Sequence, residues 1–324
     1  MTEEAKQTIV DILNGEGTIN SISTDLARQA EQYMAKIDIP EKYAQHAKVF
    51  SKEALQCFPP KRPWDHAIEL KPETPNVIDC KIYPLTQQED KALVAFLDKQ
   101  LNKGYIQPSK SPYVSPFFFI KKKDGKLRPV QDYCKLNEHT IHNCYPLPFI
   151  PDLISQVQDA HIFTKFDVQW GYNNIRIKTG DEGKGAFKTK YGLFEPLVMF
   201  FGLTNSPSTF QTMMNHIFRD LHVKHLQTGT RIIVYMDDIL IATSSTLAAH
   251  ERAVHDVLFR LEEHDLYLKP EKCVWETPSV DYLGVILEKG VTRMDPIKIS
   301  GIANWPIPQT VKDVRSFLGF CNFY

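Results

Sequence analysis

Ile232-Ile233-Val234-Tyr235-Met236-Asp237-Asp238-Ile239-Leu240-Ile241 sets two adjacent carboxylates between two short apolar runs. Runs of this kind, with no loop residues between them, leave room only for a tight hairpin. Its apex then carries Asp237 and Asp238. Adjacent charges at a strand turn repel each other and add nothing to a core, so something must compensate them. A divalent cation is the natural candidate. Asp is also an ordinary turn residue, so the hairpin takes its meaning from the rest of the chain.

Working outward, Ile162 to Asp167 reads as a strand that ends in a third carboxylate. Between that strand and the hairpin, Ser206-Pro207 opens a helix predicted over 206–221, with Phe210, Met213, Met214 and Ile217 on one face. A second helix is expected over 248–264, followed by a strand at Leu266 to Leu268 and then Tyr282-Leu283-Gly284. This order of strand, helix, hairpin, helix and strand predicts a small mixed sheet backed by two helices, an α+β arrangement. Upstream, Thr86-Gln87-Gln88-Glu89 is a capping box that starts a helix over 87–103, with Gly104 as its stop. Phe117 to Lys121 and Leu127 to Asp132 flank an Asp124-Gly125 turn and read as a hairpin with a basic tip. Residues 1 to about 60 read as a helical extension ending in the proline-rich joint Phe58 to Trp64, and the tail as two further helical stretches.

The bulk numbers limit the function classes. A chain of 324 residues with 43% hydrophobic and 24% charged residues suits several subdomains around sizeable cores. Its longest apolar runs are far too short to span a bilayer, so no membrane partner is expected. Six cysteines without a Cys-x-x-Cys pair argue for a reducing, intracellular setting and against a structural zinc site. The net charge of −1 counts against a protein that coats nucleic acid, but local clusters such as Lys121-Lys122-Lys123, Lys126 and Arg128 act within about 10 Å whatever the sum.

Asp167, Asp237 and Asp238 together suit metal-dependent phosphoryl transfer. Two Mg²⁺ ions about 3.5–4 Å apart clamp the attacking and leaving oxygens of an in-line displacement. Mg²⁺ keeps several waters, so a few carboxylates suffice to hold it.

From about residue 60 onward the chain resembles the reverse transcriptase region of gypsy-class LTR retrotransposon Pol polyproteins, of the fungal type. The motifs are Ser111-Pro112-Tyr113-Val114-Ser115-Pro116, Lys122 to Val130, Leu136-Asn137 and Tyr145-Pro146-Leu147-Pro148. They continue through Phe166-Asp167, Gly171-Tyr172, Phe201 to Pro207, Phe210-Gln211, the Tyr235 hairpin, Leu268 to Cys273, Tyr282-Leu283-Gly284 and Ser316 to Phe320. The resemblance implies an RNA-directed DNA polymerase with a right-hand fold. Fingers would take 61–141 and 175–205, palm 142–174 and 206–290, and a partial thumb 291–324, after an extension and linker over 1–60. It implies Asp167, Asp237, Asp238 and the Val168 carbonyl as ligands of two Mg²⁺, with Mn²⁺ able to substitute. It also implies Tyr172 as a steric gate against a ribose 2′-OH, Lys122 and Arg128 on the dNTP triphosphate, and Phe201 beside its sugar and base. Leu283 and Gly284 match the primer grip; Lys272 reads first as a solvated surface lysine, with protonation of the leaving pyrophosphate as the alternative. Partners would be an RNA or DNA template with its primer, dNTPs, and the RNase H and integrase regions of a parent polyprotein, of which this chain reads as a fragment.

Two positions depart from the family pattern. Cys134 stands where an arginine is usual, which should weaken template contacts. Gly183 stands where a tryptophan is usual, and with Gly185 it should loosen what reads as a strand. They motivate a second reading, an impaired relic that at most binds nucleic acid. An RNA-directed RNA polymerase is a third reading, opposed by the aromatic gate at Tyr172.

Overall fold

The computed structural model describes residues 39–51, 58–121, 125–294 and 296–321. In chain order the strands are β1 (Ile106–Pro108), β2 (Ser115–Lys121), β3 (Leu127–Gln131), β4 (Ile162–Asp167), β5 (Phe187–Thr189), β6 (Gly192–Pro196), β7 (Thr230–Tyr235), β8 (Asp238–Thr243), β9 (Val274–Thr277), β10 (Ser279–Tyr282), β11 (Val285–Glu288) and β12 (Val291–Met294). The helices are α1 (Gln87–Asn102), α2 (Cys134–His139), α3 (Ile150–Ser155), α4 (Ser206–Leu226), α5 (Leu247–Glu263), α6 (Pro296–Ala303) and α7 (Val311–Cys321).

The hairpin runs of the sequence are β7 and β8, and they lie in a four-stranded sheet of order β7-β8-β4-β9. Alternate residues of these strands enter two different cores. Ile232, Val234, Ile239 and Ile241 join Phe166 and the inner faces of α4 and α5. Ile233, Leu240, Ala242 and Phe163 pack instead with Val280 and Leu287 of the small sheet β10-β11-β12. A sheet covered on both faces has no use for polar alternation, which is why its strands read as unbroken apolar runs.

Every pairing in this sheet is antiparallel. The mixed sheet expected from the sequence lies elsewhere, in the five-stranded sheet β1-β6-β5-β2-β3, where β2 runs parallel to β5. The fourth strand of the carboxylate sheet is also not Leu266 to Leu268. That stretch makes a single bridge, Val168 to Leu268, before Pro270 interrupts it, and β9 pairs with β4 instead.

Helix α1 starts at the predicted capping box, with Thr86 accepting from Glu89 N and Glu89 reaching back to Thr86 N. It packs Leu93 and Leu97 onto Phe117, Phe187 and Phe194 of the five-stranded sheet. Helix α4 runs five residues past the expected end. Within the stretch read as an extension, Glu41–Phe50 is a 3₁₀ segment whose Tyr43, Val49 and Phe50 are buried in the main core. Tyr43 stacks on Trp275 with ring centroids 5.0 Å apart. Residues 1–38 and 52–57 of that extension lie outside the described residues. Among the described residues no helix is long and apolar enough to cross a membrane.

Gly183 and Gly185 lie in a single 3₁₀ turn, Glu182–Gly185, rather than in a strand. Ser111 Oγ donates to the Gly183 carbonyl at 2.5 Å, and Tyr133 OH donates to the Gly185 carbonyl at 3.0 Å. A Cβ on Gly185 would come within 2.9 Å of Pro196, so this glycine allows a close approach and does not loosen the sheet.

Candidate active site

The carboxylates meet at one end of the antiparallel sheet. Asp167 closes β4, Asp238 opens β8, and the two are register partners. Tyr235 pairs with Asp238, which leaves Met236 and Asp237 as the two central turn residues. Met236 has φ +55° while Asp237 is not in the positive-φ region, the pattern of a type II′ turn. Met236 takes that uncommon conformation because Gln211 holds it. Gln211 is fully buried on α4, accepts from Met236 N at 2.8 Å and donates to the Val234 carbonyl at 3.0 Å. Val168 N donates to the Asp237 carbonyl at 2.8 Å, which ties the turn to the end of β4. Asp237 is exposed, Asp238 half-buried, and Asp167 only 6% exposed.

Charge is compensated unevenly across the three. Both oxygens of Asp167 are held by lysines, Oδ1 by Lys269 and Oδ2 by Lys272 at 2.7 Å. Burial pushes the Asp238 carboxyl above its ordinary range. Lys165 opposes the shift, while the charges of Asp237 and Asp167 add to it. Among the described residues no three His, Cys, Asp or Glu side chains are grouped as a metal site. The donor chemistry still fits a hard divalent cation. Carboxylate oxygens brought together gain from a cation, and two lysines already occupy that role on Asp167.

An aromatic ladder leads away from the carboxylates. Tyr172, in the turn Gly171–Asn174, lies 4.9 Å from Phe201 and 5.7 Å from Phe210 between ring centroids. Its hydroxyl is pushed up to about 12 by burial, then by the fields of Asp237 and Tyr235. Gly171 is needed here, since a Cβ would stand 2.9 Å from the Phe210 ring. Phe201 is half exposed, and the Arg128 guanidinium of β3 lies over it at 4.3 Å. Arg128, Phe201 and Tyr172 thus form one run of contacts, and the Tyr172 hydroxyl lies in the field of Asp237. Lys122 lies outside the described residues.

Leu283 and Gly284 form the turn between β10 and β11, with φ +50° and +88°. Two positive values in a two-residue loop mark a type I′ turn. Leu283 packs into the same cluster as Tyr235, which sets this turn beside the carboxylate hairpin. Cys134 is exposed at the start of α2, its N–H donating to Asp132 at 3.1 Å.

Two groups at the site carry little signal of their own in the sequence. Gln211 sat beside Phe210 and gave itself away only as an amide on an apolar helix face. Lys269 lies in Leu268 to Cys273 with nothing in the sequence to set it apart from Lys272, and its partner is Asp167.

The model of the family described as reverse transcriptase (RNA-dependent DNA polymerase) matches residues 120–287, just over half of the chain. The chain is 36% identical over 252 residues to the Retrovirus-related Pol polyprotein from transposon 297 of Drosophila melanogaster, covering 76% of this chain and 23% of that protein. It is 33% identical over 288 residues to the Transposon Tf2-3 polyprotein of Schizosaccharomyces pombe, covering 88% of this chain and 21% of the relative. The chain therefore spans about a fifth of the length of the curated relatives it matches. Among solved structures it is similar to a foamy viral protease-reverse transcriptase. One such structure, with RNA/DNA hybrid, gives TM-score 0.71 at 20% identity over 92% of this chain and 40% of that chain. Another, with double-stranded DNA, gives 0.75 at 20% over 92% and 52%. The fold is the right-hand polymerase fold, and the chain belongs to the reverse transcriptase family.

Proposed function

We propose that this chain is an RNA-directed DNA polymerase that adds dNTPs to a primer paired with an RNA or DNA template. The observation that carries the reading is Asp167 opposite Asp238 in register, with Asp237 at the adjoining turn. Residues 61–141 and 175–205 would serve as fingers, 142–174 and 206–290 as palm, and 291–324 as part of the thumb. The RNase H and integrase regions of a parent polyprotein are proposed partners, and the setting is intracellular.

Asp167, Asp237, Asp238 and the Val168 carbonyl would hold two Mg²⁺ ions, or Mn²⁺ in their place. When bound, the pair lowers the charge barrier to in-line attack at the α-phosphate. Asp167 would then exchange its lysines for the cations, freeing Lys269 and Lys272 to face anionic substrate or leaving pyrophosphate. Arg128 would leave its ring and fork the triphosphate, where a guanidinium outperforms a point charge. Lys122 would join it. Phe201 and Tyr172 would wall the sugar, Tyr172 colliding with a 2′-OH. The turn at Leu283 and Gly284 would press the primer end toward the carboxylates.

Primer extension on an RNA template, compared between the parent chain and Asp237→Asn, tests the reading. A drop of about 10²–10³-fold or more is expected from losing one charge-stabilising group. A folded parent that extends nothing at high concentration would sink the proposal. Tyr172→Ala should admit ribonucleotides, and unchanged discrimination would remove the gate assignment.

A further inference from the structure

We propose that Gln45, His46 and His255 form a site for a borderline divalent transition cation of the Zn²⁺ class, away from the carboxylates. Three nitrogens converge there. His46 Nε2 lies 3.0 Å from His255 Nδ1, and Gln45 Nε2 lies 3.1 Å from His255 Nδ1 and 3.4 Å from His46 Nε2. A tetrahedral Zn²⁺ with bonds of about 2.0–2.1 Å separates its ligand atoms by about 3.3 Å, so the triangle has the dimensions of one face of such a site.

Hydrogen bonding can fill at most two of the three edges of the triangle. A ring nitrogen is either donor or acceptor, and so is each end of an amide. Three fixed roles around three edges always leave one edge with like facing like. A cation removes the conflict, with both ring nitrogens offering lone pairs and a half-turn of the Gln45 amide presenting Oε1 in place of Nε2. Two imidazoles and a carboxamide oxygen suit Zn²⁺ and its neighbours better than Mg²⁺.

The surroundings supply the rest of a site. His46 is only 5% exposed, and its Nδ1 has no hydrogen-bond partner but faces Glu262 Oε2 at 3.4 Å. A carboxylate facing the second ring nitrogen favours the tautomer with a proton there, which leaves Nε2 free for a metal. His46 reaches this position through a backbone break, φ −93° and ψ +28°, inside the 3₁₀ segment. Gln45 is exposed, so the fourth position opens to water. His46 and His255 stand 209 residues apart, so a bound cation would clip the segment Glu41–Phe50 onto α5. It would bind the folded chain alone and stabilise it.

The test uses the full chain with ZnCl₂ or CoCl₂ in excess Mg²⁺, which on the proposed function would occupy the carboxylates. The parent should gain Tm with Zn²⁺ and show the strong visible absorption of four-coordinate Co²⁺. His255→Gln should lose both signals, and Gln45→Ala should bind more weakly. Glu262→Gln should cost about 10-fold in affinity, as the loss of a supporting carboxylate does. His46 is left alone because it is buried in the core. A parent that shows neither signal, or a His255→Gln or Gln45→Ala variant indistinguishable from it, overturns the proposal.

Discussion

The two ends of the antiparallel sheet handle buried polarity in opposite ways. At one end Thr230 and Thr243 are register partners whose hydroxyls lie 2.9 Å apart. Thr243 also meets His250 Nδ1 at 2.8 Å, and His250 Nε2 meets Thr164 at 2.8 Å. All four residues are fully buried, and each named polar atom has a partner. At the other end the same strands finish in Asp167, Asp237 and Asp238, where Lys269 and Lys272 hold Asp167 and Lys165 opposes the raised Asp238 carboxyl. A buried network with every role filled rigidifies a fold. A carboxylate cluster left under-compensated stores affinity for a cation or an anion-bearing substrate at some cost in stability. One end of β4 and β8 is built to stay put, the other to take something up.

Paired substitutions break this comparison most sharply. Asp237→Asn should abolish most primer extension with the urea midpoint nearly unchanged, because the side chain is exposed. His250→Ala should do the reverse. It removes a buried ring and takes one of two partners from each of the Thr164 and Thr243 hydroxyls, a cost of about 2–4 kcal/mol. The catalytic rate of the folded fraction should stay near that of the parent. If both substitutions moved stability alike, the two ends would not differ in role.

Acid should separate the ends next. Burial pushes His250 down to about 4. His66, bonded to Thr209 at 2.9 Å, is also pushed to about 4 by burial, against the field of Asp181. Both rings are neutral when folded, while in the unfolded chain they take up protons below about pH 6.5. Stability is therefore complete above pH 6.5 and declines as pH falls toward about 4, by about 3 kcal/mol per ring at most. Urea titrations between pH 7 and 4 measure the slope, and His66→Asn should flatten it. A slope that stays the same in that variant would show that other groups carry the acid response.

The same contrast explains what the sequence made legible. The apolar runs of β4, β7 and β8 were readable because burial on two faces leaves no polar interruption. The carboxylates were readable because adjacent charges at the end of such runs add nothing to a core and a third one closes a neighbouring strand. Gln211 and Lys269 were not, since each is a single polar side chain whose partner is decided by packing between distant segments. The strand expected at Leu266 to Leu268 failed for a related reason. Propensity marks a stretch able to pair, while the neighbour that β4 accepts is set by where Pro270 turns the chain. Gly183 and Gly185 looked like losses because a missing side chain shows in the sequence, whereas carbonyls that receive Ser111 and Tyr133 do not.

Tyr282 stands between the two behaviours and gives the smallest expected effect. It is 1% exposed, and among the described residues its hydroxyl has no hydrogen-bond partner. Burial holds that hydroxyl protonated, and the charge of Asp238 reinforces it. If the group belongs with the structural end, it is a desolvated donor without reward, and Tyr282→Phe should leave the urea midpoint unchanged or raise stability by up to about 1 kcal/mol. Primer extension should then stay within about twofold, less than 0.5 kcal/mol of barrier. A variant that is as stable as the parent but extends poorly would place the hydroxyl with the carboxylates, donating to Asp238 or to the primer end once substrate arrives.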